Sequence, residues 1–314
     1  MAKTTVAEKE HHIAPPPETT SYQGEHNGHH GHDDHHGPLM HHFDDMGQQR
    51  ESITIGMWTF LMTEIMMFTG LFFCYAFFRW KFYDAFLLGS QQLNITLGTG
   101  NTFVLLASSM TMAMAVHAAQ VGNRKSLVGW MIGTLIFGGA FLGIKAVEWT
   151  ADYDEGLVPK YSWDATGQKW PTTHKAHTTS KEQKKEGLVP KYSWDSTGQL
   201  WKTTHESDKA GKQQKVALRE GEVYDYKHEK AVSSDHVKMY FMLYFCMTGL
   251  HAIHMVAGMI ILGIMTVMAL NGVFGNGNDQ PIEIFGLYWH FVDIVWVFLF
   301  PLLYLIAGFH IGGH

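Results

Sequence analysis

The last apolar stretch of this chain carries two side chains that can hold protons or donate hydrogen bonds. In Gly-Leu-Tyr-Trp-His-Phe-Val-Asp-Ile-Val-Trp (286–296), His290 and Asp293 are three residues apart. That spacing places both side chains on one face of a helix. Inserting an aspartate into the middle of a membrane-spanning helix costs roughly 2.5–3.5 kcal/mol, so such residues usually face a protein partner or a polar cavity. The stretch is therefore predicted to be a membrane helix with a polar face.

A pair of histidines marks another apolar stretch. His251 and His254 share a helix face and are flanked by small residues, which let a second helix approach closely enough for hydrogen bonds across the contact. Membrane histidines can also ligate haem, which takes ligands from two sides, and His117 and His290 would be the further candidates. Hydrogen-bonded packing is the favoured interpretation, because a redox site does not need the buried carboxyl groups as well.

Two other acidic residues are placed among apolar ones. Glu64 lies about 16 Å along a helix from Ile53, at 1.5 Å per residue, and cannot easily reach water. Its carboxyl group is therefore protonated or paired with a donor, and it serves proton handling, contacts with lipid headgroups or helices, or a hydrogen bond between helices. Lys145 and Glu148, one turn apart, are interpreted as an interfacial pair whose charged ends reach water.

Five apolar runs position these residues, and each reaches the roughly 20 residues that a helix needs to cross a bilayer. They cover about 53–79, 97–120, 127–149, 237–270 and 284–308. The predicted fold is an all-α membrane protein, a five-helix transmembrane bundle with a disordered N-terminal arm and a large extramembrane insertion. Its parts are the arm (1–50), three helices (51–150), the insertion (151–236) and two helices (237–314).

The charges of the short loops predict the orientation of the bundle. Arg124 and Lys125 lie between the second and third runs, which favours a cytoplasmic position for that loop. Arg79 and Lys81, after the first run, favour the opposite arrangement. The first assignment is preferred, and it places the N-terminus in the cytoplasm. The C-terminus and residues 151–236 are then periplasmic.

The N-terminal arm is rich in histidine. Residues 1–50 contain ten of the 21 histidines of the chain. So polar a segment cannot bury enough apolar surface to fold alone, and a solvated arm is the favoured interpretation. Imidazole also suits copper, zinc and nickel, so a chelating role is the alternative. Its weak metal candidates are His29, His30, His32, His35 and His36, and no metal site is predicted within the membrane.

The insertion contains a tandem duplication with an offset of 31 residues, covering 155–174 and 186–205. The repeated Ser-Trp-Asp-x-Thr-Gly-Gln predicts a short hairpin with its turn at Asp-x-Thr-Gly. Each copy is interpreted as a hairpin that docks on a partner, although a recent duplication without a role is the alternative. Basic and acidic residues balance here, which argues against nucleic acid. The candidate contact residues are Tyr161, Trp163, Trp170, Tyr192, Trp194 and Trp201.

Four segments together resemble subunit III of the haem-copper respiratory oxidases. They are 63–73, 101–109 with 122–125, Thr-Gly-Leu-His-Ala-Ile-His (248–254) and 288–298. The resemblance covers all five runs and implies the five-helix bacterial form. It implies that Glu64 is the mid-helix carboxyl group of the family. It also places His117, Glu148, His251, His254, His290 and Asp293 at the family's characteristic polar positions.

The resemblance also implies a function. Subunit III binds no haem or copper; these lie in partner subunits I and II, while subunit III stabilises subunit I, binds phospholipid in a cleft and supports proton uptake. The chain is expected to serve a proton-pumping terminal oxidase of a bacterial inner membrane, which reduces oxygen to water with cytochrome c as donor. The insertion would bind cytochrome c or another respiratory complex. The alternatives are a quinol oxidase subunit, a nitric-oxide-reductase accessory protein, a proton-relaying transporter and a metal sensor.

Overall fold

The computed structural model describes residues 46–172, 192–194, 199–203, 213–274 and 279–305. The helices are α1 (Met46–Lys81), α2 (Tyr83–Gln92), α3 (Ile95–Gln120), α4 (Arg124–Asp154), α5 (Ser234–Leu270) and α6 (Gln280–Tyr304). The strands are β1 (Tyr192–Trp194), β2 (Leu200–Thr203), β3 (Gln213–Lys215), β4 (Glu222–Asp225) and β5 (Lys230–Ser233). Five of these helices, all except α2, are long and apolar enough to cross a membrane. The predicted all-α membrane bundle is therefore confirmed, and the short strands belong to the insertion.

Hydrogen bonds between helix ends define the two ends of the bundle. At the N-terminal end, where α1 begins, Arg124 of α4 donates to the carbonyl oxygens of Ala269, at 2.9 Å, and Leu270, at the end of α5. A cationic side chain at a helix C-terminus bonds the last carbonyl groups and interacts favourably with the helix dipole. At the opposite end, called the insertion end below, Tyr75 of α1 donates to the carbonyl oxygen of Leu302 in α6 at 2.6 Å.

Helix α6 is central and α1 is peripheral. Half of the residues in the most apolar 18-residue stretch of α6 are buried inside the protein. In the corresponding stretch of α1, 17% of the residues are buried. The indole nitrogens of α6 bond to α3: Trp289 donates to Ser108 at 3.1 Å and Trp296 donates to Thr102 at 3.1 Å. Because the bilayer offers these N–H groups no acceptor, the bonds fix how α6 is rotated against α3.

Several boundaries differ from the predicted ones. Helix α1 begins at Met46, inside the segment assigned to the arm, and Gln280 of α6 donates to the carbonyl oxygen of Arg50 at 3.0 Å. Helix α4 continues to Asp154, and one face of its last turns, with Glu148 and Asp152, is buried. The weak metal candidates His29, His30, His32, His35 and His36 lie outside the described residues.

The short helix α2 was not predicted. It follows α1 at the insertion end and buries Phe86 and Leu88 beneath α5. Gly89 allows this close approach, because a Cβ atom there would lie 2.4 Å from the ring of Tyr240. A ten-residue helix shows little periodicity in sequence, so its existence depends on the helix packed above it.

The two copies of the duplication adopt different structures. In the second copy β1 pairs with β2, as predicted, and β3 extends the pair to an antiparallel sheet in the order β1-β2-β3. The first copy, described as far as Thr172, contains no strand over those residues and folds as turns at the insertion end. It buries Leu157 and Trp170, and Thr172 bonds to Gln92 of α2. The hairpin prediction is correct for the second copy and wrong for the first.

Two substitutions between the copies explain the difference. Lys202 lies in the central strand β2, opposite Tyr192 of β1 and Gln214 of β3. The first copy has Pro171 at this position, and a proline has no amide to donate inside a sheet. The buried Leu200 of β2 is likewise replaced by the exposed Lys169. The first copy therefore lacks the residues that a central strand needs.

Asp164 stabilises the turns of the first copy. Its carboxylate accepts hydrogen bonds from the hydroxyl group of Thr166 at 2.6 Å and from the amide of Lys169 at 2.8 Å. Partial burial disfavours the charged form, but these hydrogen bonds hold the pKa of Asp164 below its usual value. The stabilisation is therefore present at neutral pH and is lost as the pH falls through the lowered pKa of the folded state.

Lys202→Pro is expected to open the three-stranded sheet. The change removes a ladder hydrogen bond worth about 1 kcal/mol, which raises the fraction of open sheet roughly fivefold. Hydrogen–deuterium exchange read by mass spectrometry should show faster exchange of the amides in β1, β2 and β3. Lys202→Thr retains the amide and serves as the matched control. Equal protection in the two variants would show that the proline does not decide the fold of each copy.

Candidate functional site

The predicted polar residues do not form one site. The structure divides most of them into three groups between the helices. Glu64 and His254 meet at a cleft beside α1. His290 and Asp293 lie against α3. Glu148 belongs to a charged network at the insertion end.

His254 of α5 is hydrogen-bonded to Glu64 of α1. His254 Nε2 lies 3.0 Å from Glu64 Oε2, and His254 Nδ1 lies 2.8 Å from the carbonyl oxygen of Leu250. A carbonyl oxygen only accepts, so Nδ1 must carry a proton. The proton between Nε2 and Glu64 then belongs either to a neutral carboxyl group or to an imidazolium ion. In both states the pair is neutral overall, which suits its depth in a membrane.

The cleft beside this pair is apolar. It has a volume of about 640 Å³ and lies between α1, α5 and the first turns of α6. Glu64 and His254 are its polar side chains near mid-membrane, and Gln280 lies towards the N-terminal end. The other walls are formed by apolar side chains, among them Ile53, Met57, Phe60, Ile253, Ala257, Ile261, Met265 and Phe285. The cleft thus fits a long apolar ligand with one polar contact.

His290 and Asp293 both lie beside Ser109 of α3, a residue that the sequence did not single out. His290 Nδ1 and Ser109 Oγ are 2.7 Å apart. Asp293 is 3% exposed, and its two carboxyl oxygens have no hydrogen-bond partner among the described residues. The prediction that the pair shares one helix face holds, and Ser109 is the group on α3 that both of them approach.

The other predicted membrane residues have separate positions. His251 is buried against the rings of Phe141 and Trp296, with centroid distances of 5.6 and 5.2 Å. Neither of its ring nitrogens has a hydrogen-bond partner within the described part of the chain. His117 is exposed on the last turn of α3, and Arg124 caps α5. These residues lie away from the three groups.

A charged network lies buried at the insertion end. The Lys145 ammonium group donates to Glu148 Oε2 at 2.9 Å, to the Tyr244 hydroxyl at 3.0 Å and to the Tyr304 hydroxyl at 2.7 Å. The Tyr304 hydroxyl donates in turn to Glu148 Oε1 at 2.5 Å. The Tyr244 hydroxyl lies 3.4 Å from Asp152 Oδ2. All three ammonium protons are therefore used, and the network ties α4 to α5 and α6.

This network corrects the prediction of an interfacial pair. The side chains of Lys145 and Glu148 are only 3% and 4% exposed, so their charged ends do not reach water. Tyrosines from α5 and α6 cover the pair, and the Trp296 ring lies 5.1 Å from the ammonium group. The spacing of Lys145, Glu148 and Asp152 on one face of α4 was a usable signal in the sequence. Their tyrosine partners are distant along the chain and gave none.

The aromatic residues of the insertion have two roles. Trp170 is 2% exposed, and the Trp163 ring packs against Trp170 and Phe241 of α5. These tryptophans fasten the first copy to the bundle and are not free for a partner. Tyr161 is 75% exposed, and Trp201 is half-buried. The backbones of Tyr192 and Trp194 form β1, and their side chains are outside the described part.

Within the described ranges, no three histidine, cysteine, aspartate or glutamate side chains form a group that could hold a metal ion. The histidine arm before residue 46 lies outside those ranges.

Comparison with known proteins identifies the class to which this multi-pass helical bundle belongs. A family model for cytochrome c oxidase subunit III matches residues 41–154 and 215–308. The match covers all five membrane-spanning helices. The chain therefore belongs to the cytochrome c oxidase subunit III family, as the resemblance in its sequence indicated. Residues 155–214, which contain both copies of the duplication, lie outside the match.

Individual relatives come from several kinds of haem-copper oxidase. The chain is 25% identical to the quinol oxidase subunit 3 of Bacillus subtilis (strain 168), over 82% of this chain and 88% of the relative. It is 23% identical to a probable cytochrome c oxidase subunit 3 of Nocardia farcinica, over 81% and 88%. It is 22% identical to the heme-copper oxidase subunit I+III of Aeropyrum pernix, over 82% of this chain and 23% of that protein.

Lys145→Met is expected to destabilise the bundle by about 3–5 kcal/mol, because it leaves two buried carboxyl groups without their cation. Thermal unfolding of the purified protein in detergent would measure the loss. Lys125→Met, at an exposed position near the start of α4, is the matched control and is expected to change stability by less than about 0.5 kcal/mol. Adding Glu148→Leu to Lys145→Met should recover part of the loss. Equal stability of the two single variants would contradict a structural role for the network.

Proposed function

We propose that this chain is the non-redox subunit III of a proton-pumping terminal oxidase that reduces oxygen to water. Haem and copper are held by partner subunits I and II, and this subunit stabilises subunit I and supports proton uptake. Membership of the cytochrome c oxidase subunit III family supports this assignment. The relative in which subunits I and III form one chain supports direct contact with subunit I.

The proposed electron donor is cytochrome c, and the second candidate is a quinol. The family and the Nocardia farcinica relative carry the name of cytochrome c oxidase. The Bacillus subtilis relative is named a quinol oxidase subunit, which favours the alternative. Purification of the complex by a tag on this chain, followed by optical spectroscopy and identification of its partner chains, would decide between them. A dinuclear copper motif in subunit II would indicate cytochrome c.

The proposal that this subunit binds phospholipid rests on the cleft beside α1. Its length runs from Gln280 and Ile53, at the N-terminal end of the bundle, to Glu64 and His254 near mid-membrane. An acyl chain inserted there would cover apolar side chains that the chain itself leaves open. Because bilayer chains are as apolar as these side chains, the gain comes from close van der Waals packing in the cleft and not from removal of water. The headgroup would lie at the Gln280 end of the cleft, where the membrane core ends.

The proposed location is a bacterial inner membrane, with the N-terminal end of the bundle in the cytoplasm. Lys125 is exposed at that end, and Arg124 lies beside it. Basic residues in a short loop favour the cytoplasmic side. The insertion and the C-terminus are then periplasmic, on the side where cytochrome c is available.

The insertion is proposed to bind cytochrome c or another respiratory complex. Its first copy is fastened to the bundle through Trp163 and Trp170, and it therefore forms a base for the rest of the insertion. Tyr161 is exposed and can contact a partner. The family match omits residues 155–214, so this binding would be an addition to the family's common structure.

Ala257→Trp is expected to reduce the phospholipid that copurifies with the complex. The exposed Ala257 lines the cleft, and an indole there takes the space of an acyl chain. Lipid mass spectrometry should show the loss, and the catalytic lifetime should shorten while the haem spectrum is unchanged. Val256→Trp, at an exposed position of α5 outside the cleft, is the matched control. Equal lipid content in the two variants would remove the proposed lipid site.

Deleting residues 155–205 is expected to slow electron transfer from the partner while the complex still assembles with its haem groups. Deleting 155–185 is the matched control, because it removes one period and joins Asp154 to the start of the second copy. Oxygen consumption measured against donor concentration would separate weaker binding from slower turnover. If the longer deletion leaves both unchanged, the insertion has no role in docking.

A further inference from the structure

A second cavity lies on another face of α6. This groove, of about 700 Å³, runs between the first turns of α1, the last turns of α3 and the first turns of α6. Charged and polar side chains line the mouth of this groove, which distinguishes it from the apolar cleft beside α1. They are Arg50, Gln120, Asp279 and Glu283. The side-chain amide of Gln120 in α3 donates a hydrogen bond to Glu283 Oε1 in α6 at 2.5 Å. The groove is therefore polar enough to hold water at the N-terminal end of the bundle.

The groove leads towards Ser109 and His290. Ala113, Val116 and Gln120 of α3 line it, and His290 of α6 lies at its inner end. Ser109 is on the same face of α3, because side chains four, seven and eleven residues apart align along a helix. The 2.7 Å contact between Ser109 Oγ and His290 Nδ1 therefore lies at the inner end of a groove whose mouth is polar.

Asp293 lies one turn deeper in α6. It is about 20 Å along the helix from Gln280, at 1.5 Å per residue. Its carboxyl group is 3% exposed, it has no hydrogen-bond partner in the described ranges, and the Ser109 hydroxyl lies beside it. A buried carboxylate without a cation or donor costs several kcal/mol. The Asp293 carboxyl is therefore expected to carry a proton.

The charged groups of the neighbouring helices do not compensate Asp293. On α4, Lys145 gives all three of its protons to Glu148 and two tyrosines. On α5, His251 packs between aromatic rings, and His254 bonds to Glu64 of α1. Among the described residues, the groups that can take part in proton exchange with Asp293 are thus Ser109 and, through it, His290.

We propose that Asp293 is a proton-holding site that exchanges its proton with the groove through Ser109 and His290. The Asp293 carboxyl gives its proton to Ser109 Oγ while the Ser109 hydroxyl proton passes to His290 Nδ1. The products are a carboxylate and an imidazolium ion, so charge is conserved. The imidazolium then releases the proton on its second ring nitrogen to a water molecule in the groove. The reverse sequence loads the carboxyl group again.

This site deepens the proton-uptake part of the proposed function and rests on it for a biological use. The exchange itself needs only the groove and three side chains of α3 and α6. None of these side chains lines the cleft of Glu64 and His254. A measurement on the Asp293 carboxyl group therefore gives a result whether or not a partner subunit depends on it.

Infrared difference spectroscopy of the complex containing the full-length chain tests the proposal during transfer from H₂O to D₂O. A protonated carboxyl group has a carbonyl-stretch band that shifts when deuterium replaces its proton. Asp293→Asn is expected to remove one such band, and Glu64→Gln is expected to leave that band in place. Ser109→Ala should slow its shift about tenfold or more, since each added 1.4 kcal/mol of barrier slows a step about tenfold.

Three further variants make the result specific. Thr99→Ala removes an α3 hydroxyl that bonds to Ile95 in its own helix, and it should leave the rate unchanged. Ser109→Thr retains the hydroxyl group and should keep the rate near that of the parent protein. Ala113→Trp fills the groove without altering the three exchanging side chains and should slow the shift. This variant also covers the case in which Ser109→Ala does not assemble.

Two outcomes would overturn the proposal. The first is that Asp293→Asn removes no protonated-carboxyl band, which would mean that Asp293 is ionised. The second is that the band shifts at the parent rate with the groove filled, which would mean that its proton travels by another route.

Discussion

A side chain buried between membrane helices must find its hydrogen-bond partners in the protein, because the bilayer core supplies none. The network around Lys145 meets this requirement with all three ammonium protons and joins α4, α5 and α6 at the insertion end. Tyr75 fastens α1 to α6 at the same end. Towards the other end α1 contacts α6 through the bond from Gln280 to the carbonyl oxygen of Arg50, and the apolar cleft and the groove lie on either side of this contact.

The buried acids of the bundle show different ways of avoiding an isolated charge. Glu64 shares a proton with His254, so the pair is neutral whichever group holds the proton. Asp293 has no such partner among the described residues, and its burial favours the neutral acid. Glu148 remains a hydrogen-bond acceptor because an ammonium group and two tyrosines surround it. The Glu148 arrangement is suited to a lasting contact between helices. The proton that Glu64 shares with His254, and the proton on Asp293, can be exchanged.

The duplicated segment shows how context selects between structures for almost the same sequence. One copy is held against α2 and α5 by Trp170 and Leu157 and folds as turns, whereas the other forms a sheet with β3. Pro171 prevents the first copy from entering a ladder, and Leu200 gives the second an apolar side chain to bury. The two copies therefore contribute differently to the insertion, and both lie outside the matched part of the family.

Sequence alone determined the five membrane helices, the family and the positions of Glu64 and Asp293 within those helices, because apolar run length and helical periodicity are local properties. It also identified Lys145 and Glu148 as a pair but placed their charges in water, since the covering tyrosines are far away along the chain. Only the tertiary structure decided that His254 meets Glu64, 190 residues away, and that Ser109 lies against His290. The same holds for α2 and for the different folds of the two copies. Such pairings depend on how helices rotate and pack against one another, and no local pattern records that.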